Sequence, residues 1–303
     1  MNKDRRRFLK TMALSSVAGL LGLPACRVGN EKQAVLTVLH TNDLHSHIDP
    51  FPDNKGKYAG KGGFARRFAL IKQVRRANPN VLLLDSGDIF QGTPYFNFYG
   101  GELEIKLMSD MQYDASTLGN HEFDNGSAHL AEQIKKAKFP FINSNYNFKN
   151  SPLNGLISPY KIFKKGPLKI GVIGLGIELD GLVTPQNFLG TEYLDAISTG
   201  DKTAELLKKA EKCHLIIALS HLGYRYKNDK ISDVVVAKNT KYIDVILGGH
   251  THTFMDEPVI IANKKNKEVI INQTGWGGIN LGRMDFVFDQ QKQDAKLLSH
   301  ALL

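Results

Sequence analysis

Four short apolar runs, at 35–40, 81–84, 215–219 and 242–247, each stop within a few residues of a side chain able to hold a divalent metal. The runs are rich in Val, Ile and Leu and bounded by turn residues, which is how buried strands of a parallel sheet read. Helical patterns alternate with them: 64–77, stopped by Asn78-Pro79; 130–138; and 202–212, with Asp201 as the expected cap. Strand and helix in alternation predict a mainly parallel α/β core. In such sheets ligands bind beyond the carboxyl ends of the strands, where these metal-type side chains fall.

The segments after the runs, with one more between them, are Asp43-Leu44-His45, Gly87-Asp88, Gly119-Asn120-His121-Glu122, Ser220-His221 and Gly248-Gly249-His250-Thr251-His252. A carboxylate between two cations can bridge them, and two cations about 3.5–4 Å apart can clamp the attacking and leaving oxygens of a phosphoryl transfer. Mixed Asp, His and Asn ligation suits Zn, Mn or Fe better than Ca. No single segment is specific, since a D-x-H or an H-T-H alone is common. Five in this order point to a site for two divalent metal ions. The glycines beside them either end strands or let backbone approach a metal cluster closely, and both readings hold together.

With the order D-x-H, G-D-x-x-x-G, G-N-H-E, S-H and G-G-H-T-H on the page, the chain resembles the calcineurin-like metallophosphoesterases. Within them it is similar to the catalytic domain of bacterial periplasmic 5′-nucleotidases and UDP-sugar hydrolases, through His40-Thr41-Asn42-Asp43-Leu44-His45, Asp85-Ser86-Gly87-Asp88-Ile89-Phe90-Gln91-Gly92 and Gly119-Asn120-His121-Glu122-Phe123-Asp124. The resemblance covers roughly residues 34 to 290 and implies a single-domain, four-layer α/β/β/α sandwich. It places Asp43, His45, Asp88 and His252 around one metal, and Asp88, Asn120, His221 and His250 around the other. Relatives often carry Gln where this chain has His252. His121 is implied as the group that stabilises phosphoryl charge or protonates the leaving oxygen, with Asp124 fixing its tautomer through the other ring nitrogen. The reaction implied is in-line attack of water on a small phosphorylated substrate.

Other residues receive plainer expectations. His47 is read as a neighbour of the site or a surface residue and Glu122 as structural; Asn143, Ser144 and Asn145 either line the cleft edge or form a turn. His40, His129, His214 and His300 are read as structural, and Trp276 as shaping the rim of the site or, the preferred reading, as a packed aromatic. The loop 52–63, rich in Gly and Lys, is expected to form a mobile cationic lip at the mouth of the site.

The amino terminus sets the expected location. Arg5-Arg6-Arg7-Phe8-Leu9-Lys10 followed by an apolar stretch to Leu23 reads as a twin-arginine signal peptide over 1–25, too short to span a bilayer. Leu23-Pro24-Ala25-Cys26 resembles a lipobox, which would make Cys26 a lipid attachment point and the mature protein a periplasmic or membrane-anchored lipoprotein. Ordinary peptidase cleavage with an incidental Cys26 is the alternative. Residues 26–33 would be a tether, 34–290 the catalytic domain and 291–303 a C-terminal tail. Cys213, the other cysteine, is read as a buried lone thiol.

The net charge of +9 falls to +5 once the five basic residues and one acidic residue of 1–25 are set aside, leaving 34 basic against 29 acidic. A mildly basic surface favours anionic substrates. Arg66, Arg67, Arg75 and Arg76 share an amphipathic helix without interleaved aromatics, so no nucleic-acid binding is expected. Family 5′-nucleotidases continue into a second domain that holds the nucleoside, whereas this sequence stops at Leu303. The resemblance therefore leaves open a broad phosphoesterase, a separate chain supplying that domain, or a small substrate. A sulfur-compound hydrolase and a non-catalytic lipid-anchored subunit are the competing readings, the latter opposed by retention of every ligand position.

Overall fold

A computed structural model describes residues 33–54, 56–289 and 294–303. The expected signal peptide and lipobox, and the expected tether as far as residue 32, lie outside the described residues. Two sheets are built from β1 (Gln33–Thr41), β2 (Val81–Asp85), β3 (Ala115–Ser116), β4 (Tyr146–Asn147), β5 (Tyr160–Lys165), β6 (Leu168–Leu175), β7 (Glu192–Tyr193), β8 (Leu215–Ser220), β9 (Val245–Gly248), β10 (Val259–Ala262), β11 (Glu268–Asn272), β12 (Gly282–Asp289) and β13 (Asp294–Leu302), with β4 and β7 forming a small separate ribbon. The first sheet runs β13-β12-β1-β2-β3, with β1, β2 and β3 parallel. The second runs β10-β11-β9-β8-β6-β5, parallel from β11 to β6 and edged by antiparallel β10 and β5.

Helices α1 (Phe64–Ala77), α2 (Pro94–Tyr99), α3 (Glu102–Asp110), α4 (Ser127–Lys136), α5 (Ala196–Lys209) and α6 (Asp233–Asn239) cover the outer faces. Three apolar layers make the sandwich. Leu36, Val38, Leu82 and Leu84 meet Val172, Ile217 and Leu247 between the sheets. The alternate residues Leu39 and Leu83 pack outward on Ile71, Ile105 and Leu130 of α1, α3 and α4. Ile173, Ile216 and Ile246 pack outward on Ala204 and Leu207 of α5 and Val236 of α6. The period-two alternation thus feeds two buried faces, which is why the strands read as continuous apolar runs.

Helix α1 has the expected bounds, because Asn78 before Pro79 is forced into extended backbone at φ −132°, ψ 127°. The expected helix at 202–212 instead begins six residues earlier. Asp195, not Asp201, is its cap, accepting the Ser198 amide at 2.7 Å. Asp201 sits mid-helix and its carboxylate accepts from Thr240 Oγ1 and the Lys241 amide, tying α5 to the loop after α6. The segment 139–142 makes only isolated bridges, Phe141 to Ser116 and Ile142 to Ser158.

The segment expected as a C-terminal tail, 291–303, carries a strand in its described part. Asp294–Leu302 is strand β13, paired antiparallel with β12 from Asp289↔Asp294 to Gly282↔Leu302. Its alternating pattern was masked in the sequence by a β-bulge between Asp285 and Phe286, which shifts the register.

Candidate metal centre

The parallel strands deliver the five segments to one end. Asp43 follows β1, Asp88 follows β2, His221 follows β8 and His250 follows β9, so loops from both sheets meet over the inter-sheet core. They are stitched together by buried polar contacts. Ser86 Oγ, after β2, donates to the Leu247 carbonyl of β9 at 2.7 Å, and the Asp43 carboxylate accepts the His250 amide at 3.0 Å.

The expected side chains converge in three overlapping groups: Asp43, His45 and His252; His45, Asp88 and His121; Asp88, His221 and His250. His221 Nε2 lies 2.9 Å from Asp88 Oδ2 and 3.9 Å from Asp43 Oδ1. His252 Nε2 is 3.5 Å from Asp43 Oδ1, and the Nε2 atoms of His45 and His252 face each other at 2.9 Å. Asn120 Oδ1 sits 2.9 Å from His250 Nδ1. Every expected ligand position is therefore in this one cluster, and His121 stands beside it with Nδ1 2.8 Å from Asp124 Oδ2.

The backbone is strained where these residues sit. Asp43, His45, Asp88, His250 and His252 all have left-handed φ, between 46° and 70°. Each such residue costs of order 1–3 kcal/mol and persists only where the surroundings over-determine it. Gly119 shows how tight the packing is. A Cβ there would lie 2.7 Å from the Asp88 amide nitrogen and would overlap its Oδ1.

Two buried carboxylates, Asp43 and Asp88, meet imidazoles and no Lys or Arg among the described residues. Burial alone would raise the Asp88 carboxyl, but the charge and hydrogen bond of His221 hold it far below the ordinary carboxylate range. Burial lowers His221 as well, yet Asp88 and then Asp43 outweigh it and raise the ring to about 10. Burial, with the neighbouring His221 charge, pushes His250 down to about 4. So much negative charge against imidazoles, some pressed towards neutrality, is a donor set that fits divalent cations. The orientation of His221 agrees: its Nδ1–H donates to the Ser86 carbonyl at 2.7 Å, which leaves Nε2 as the ring nitrogen that faces the carboxylates.

Glu122 is structural, as expected: its buried carboxylate accepts the amides of Asp88, Ile89 and Gly119 at 2.9, 2.7 and 2.5 Å. Asn143 forms the turn, its Oδ1 accepting the Asn145 and Tyr146 amides. Cys213 is buried and unpaired.

Two expectations change. Trp276 is no mere packed aromatic; it lines the cavity beside the cluster and stacks on His252, ring planes 11° apart and centroids 5.8 Å. Among its described residues the loop 52–63 contributes Pro52 and Tyr58 to that cavity, and its Lys57 lies over the Tyr58 ring, so these residues add an aromatic face to the expected cationic lip.

The residues that hold the cluster from behind carry no motif of their own. Asn42 donates to Asp43 Oδ2 at 2.6 Å and accepts from Thr274. Asp233, pushed up to about 7 by burial despite bonds from Ser220 and Gln273, backs the β9 end, while Gln273 also donates to the Gly249 carbonyl. Their one signal was polarity next to apolar runs, which many turns share.

Fold and cluster together define a class, the four-layer α/β proteins whose strand ends gather Asp, Asn and His around a divalent-cation site. The chain belongs to the calcineurin-like phosphoesterases, whose family profile matches residues 36–254. Membership in that class of phosphoric ester hydrolases implies divalent metal ions. Over 294 residues the chain is 35% identical to the snake venom 5′-nucleotidase of Naja atra, covering 88% of this chain and 53% of that protein. The crystal structure of a 5′-nucleotidase precursor from Thermus thermophilus superposes with a TM-score of 0.77 at 32% identity, over 89% of this chain and 54% of that one. The sulfate thiohydrolase SoxB of Thermus thermophilus shares the fold, with a TM-score of 0.72 at 18% identity, over 88% of this chain and 56% of that one. The chain spans about half the length of the curated relatives it matches.

Proposed function

We propose that this protein is an exported, dinuclear metal-dependent phosphoesterase that hydrolyses nucleotides, in the manner of a 5′-nucleotidase, or related phosphomonoesters. The observation that carries the reading is the convergence of Asp43, His45, Asp88, Asn120, His221, His250 and His252 on one point, with the His121–Asp124 pair at its edge. Asp43, His45, Asp88 and His252 would hold one cation, and Asp88, Asn120, His221 and His250 the other, with Zn, Mn or Fe suited to this donor set. Two such cations supply Lewis-acid charge that activates water for in-line attack and neutralises the phosphoryl oxygens.

The chain's own contribution is orientation and proton handling. Ser86 fixes the tautomer of His221, and Asp124 fixes that of His121. With Nδ1 occupied, His121 offers Nε2–H to the phosphoryl or leaving oxygen as it gains charge. The His121 amide donates to Asp88 Oδ1 at 2.9 Å, so the proton donor and the shared carboxylate move as one unit. The relation to a venom nucleotidase suits a protein that leaves the cell, as do the twin-arginine pattern and the lipobox-like Cys26. Intact mass of membrane-extracted protein tests the anchor: an acylated Cys26 supports it, and an unmodified later start refutes it.

Phosphate release from AMP, UDP-glucose, 2′,3′-cyclic AMP, sugar phosphates and pyrophosphate by metal-reconstituted protein tests the activity, with Asp88→Asn as control. Turnover of a phosphate ester that the control loses supports the reading. No turnover of any ester by protein shown to carry metal refutes it and turns attention to thiosulfate esters.

A further inference from the structure

A cavity of about 780 Å³ opens directly from the cluster, with His45, His121 and His252 on its floor and Phe51, Tyr58 and Trp276 on its walls. That size is typical of small-molecule sites. The rings form one connected set. The Trp276 indole meets Phe51 edge-on at 5.3 Å and 78° and Tyr58 at 6.5 Å and 88°, while Tyr58 stacks on Phe254 at 5.8 Å and 16°.

The backbone is shaped to hold these rings. Gly275 and Gly277 flank Trp276 with φ of 89° and 61°. A Cβ on Gly277 would come within 2.7 Å of the Phe51 ring, and one on Gly275 would overlap Phe254. The same loop is bonded to the metal centre: the Gly277 amide donates to the Asp43 carbonyl at 2.7 Å, and Asn42 Nδ2 donates to the Gly275 carbonyl at 2.7 Å. The indole is thereby set at a fixed place relative to the reacting centre.

The chemistry of the walls narrows the occupant. Among the described residues no Lys or Arg lines the cavity, although Lys57 lies over the Tyr58 ring, and Asp49 adds a carboxylate, so the walls offer more to a flat ring than to a second acidic group. Tyr58 and Trp276 are only partly buried, and Phe254 is 38% exposed, so their rings are not closed into a core. Flat aromatic groups stack on such surfaces with little dependence on sequence or substituent. Gln91 stands at the wall and offers an amide that can pair with a ring edge.

We propose that this cavity binds the nucleobase of the substrate, with Tyr58 and Trp276 as stacking residues, so that this chain selects nucleotides over base-free sugar phosphates with residues of its own. The proposal rests on the phosphoesterase reading for the reacting end of the substrate. Recognition of the base does not depend on it.

Trp276 is the single tryptophan of the sequence, which makes it a direct reporter. Titration of metal-loaded protein with adenosine is expected to quench its emission saturably, and titration with ribose is not. Tyr58→Ala is expected to weaken adenosine binding and raise the KM for AMP, each by about tenfold, while hydrolysis of ribose 5-phosphate stays as in the wild type. Tyr58→Phe, which keeps the ring, is expected to restore both, so that loss in the alanine variant cannot be put down to misfolding. Equal kcat/KM for AMP and ribose 5-phosphate, or quenching by adenosine no stronger than by ribose, overturns the proposal. Saturable quenching without hydrolysis of either ester keeps the base site and overturns the phosphoesterase reading instead.

Discussion

The ring of His221, at the end of β8 in one sheet, is held at both nitrogens by the loop after β2 in the other: its Nε2 lies 2.9 Å from Asp88 Oδ2, and its Nδ1 donates to the Ser86 carbonyl at 2.7 Å. One imidazole thus joins the end of β8 to the end of β2 and faces the carboxylate proposed to bridge both cations. Removing either partner leaves the other buried and unpaired, which costs more than the contact contributes.

Asp88→Asn is therefore expected to be the most damaging single change. Metal content measured by elemental analysis should drop for both ions together, and turnover should fall at least about a hundredfold. Loss of one ion alone would show that Asp88 is not shared.

His121→Ala is expected to leave metal content near that of the wild type while lowering kcat by about 10²–10⁴. Asp124→Asn should have a smaller effect in the same direction, since it removes the tautomer lock and leaves the ring. Stripping of metal by His121→Ala would place this residue among the ligands.

Gly119→Ala adds the one atom for which there is no room, 2.7 Å from the Asp88 amide. The loop must shift, and with it the carboxylate. Overpacking of this kind costs about 1–3 kcal/mol. A lower melting temperature accompanied by weaker metal binding is expected; unchanged metal affinity would show that the loop absorbs the methyl group.

His40 is fully buried between the sheets with neither ring nitrogen hydrogen-bonded, and burial, then the nearby His300, lowers it from 6.5 to about 3. Because the folded state resists the proton that the unfolded chain accepts, stability is complete above pH 6.5 and falls as pH drops towards 3. The shift corresponds to a loss on the order of 4 kcal/mol across that window. His40→Leu should melt with a shallower pH dependence between pH 6.5 and 4 than the wild type; parallel curves would remove His40 as a source of acid sensitivity.

Local chemistry accounts for what could be read from the chain. The strands before Asp43, Asp88 and His221 and the stop of α1 at Asn78-Pro79 depend on hydrophobic period and on the φ restriction before proline, both properties of a few adjacent residues. Several candidate ligands were legible for the same reason, since Asp43, Asp88, His221 and His250 each sit within four residues of the end of an apolar run.

Contacts between distant segments decided the rest. Asp195 rather than Asp201 caps α5, because Asp201 finds Thr240 and Lys241 across the fold. Strand β13 exists through pairing with β12 across a bulge, a partnership that no local pattern announces. The aromatic cavity joins Phe51 and Tyr58 of one loop to Trp276 more than two hundred positions away, and Asn42 reaches Thr274 over a similar gap. Residue types near one another in the chain dictate secondary structure and the kind of chemistry available. Which of them meet, and so the shape of the space around the reacting atoms, follows from burying three apolar layers at once, a cooperative outcome that belongs to the folded molecule.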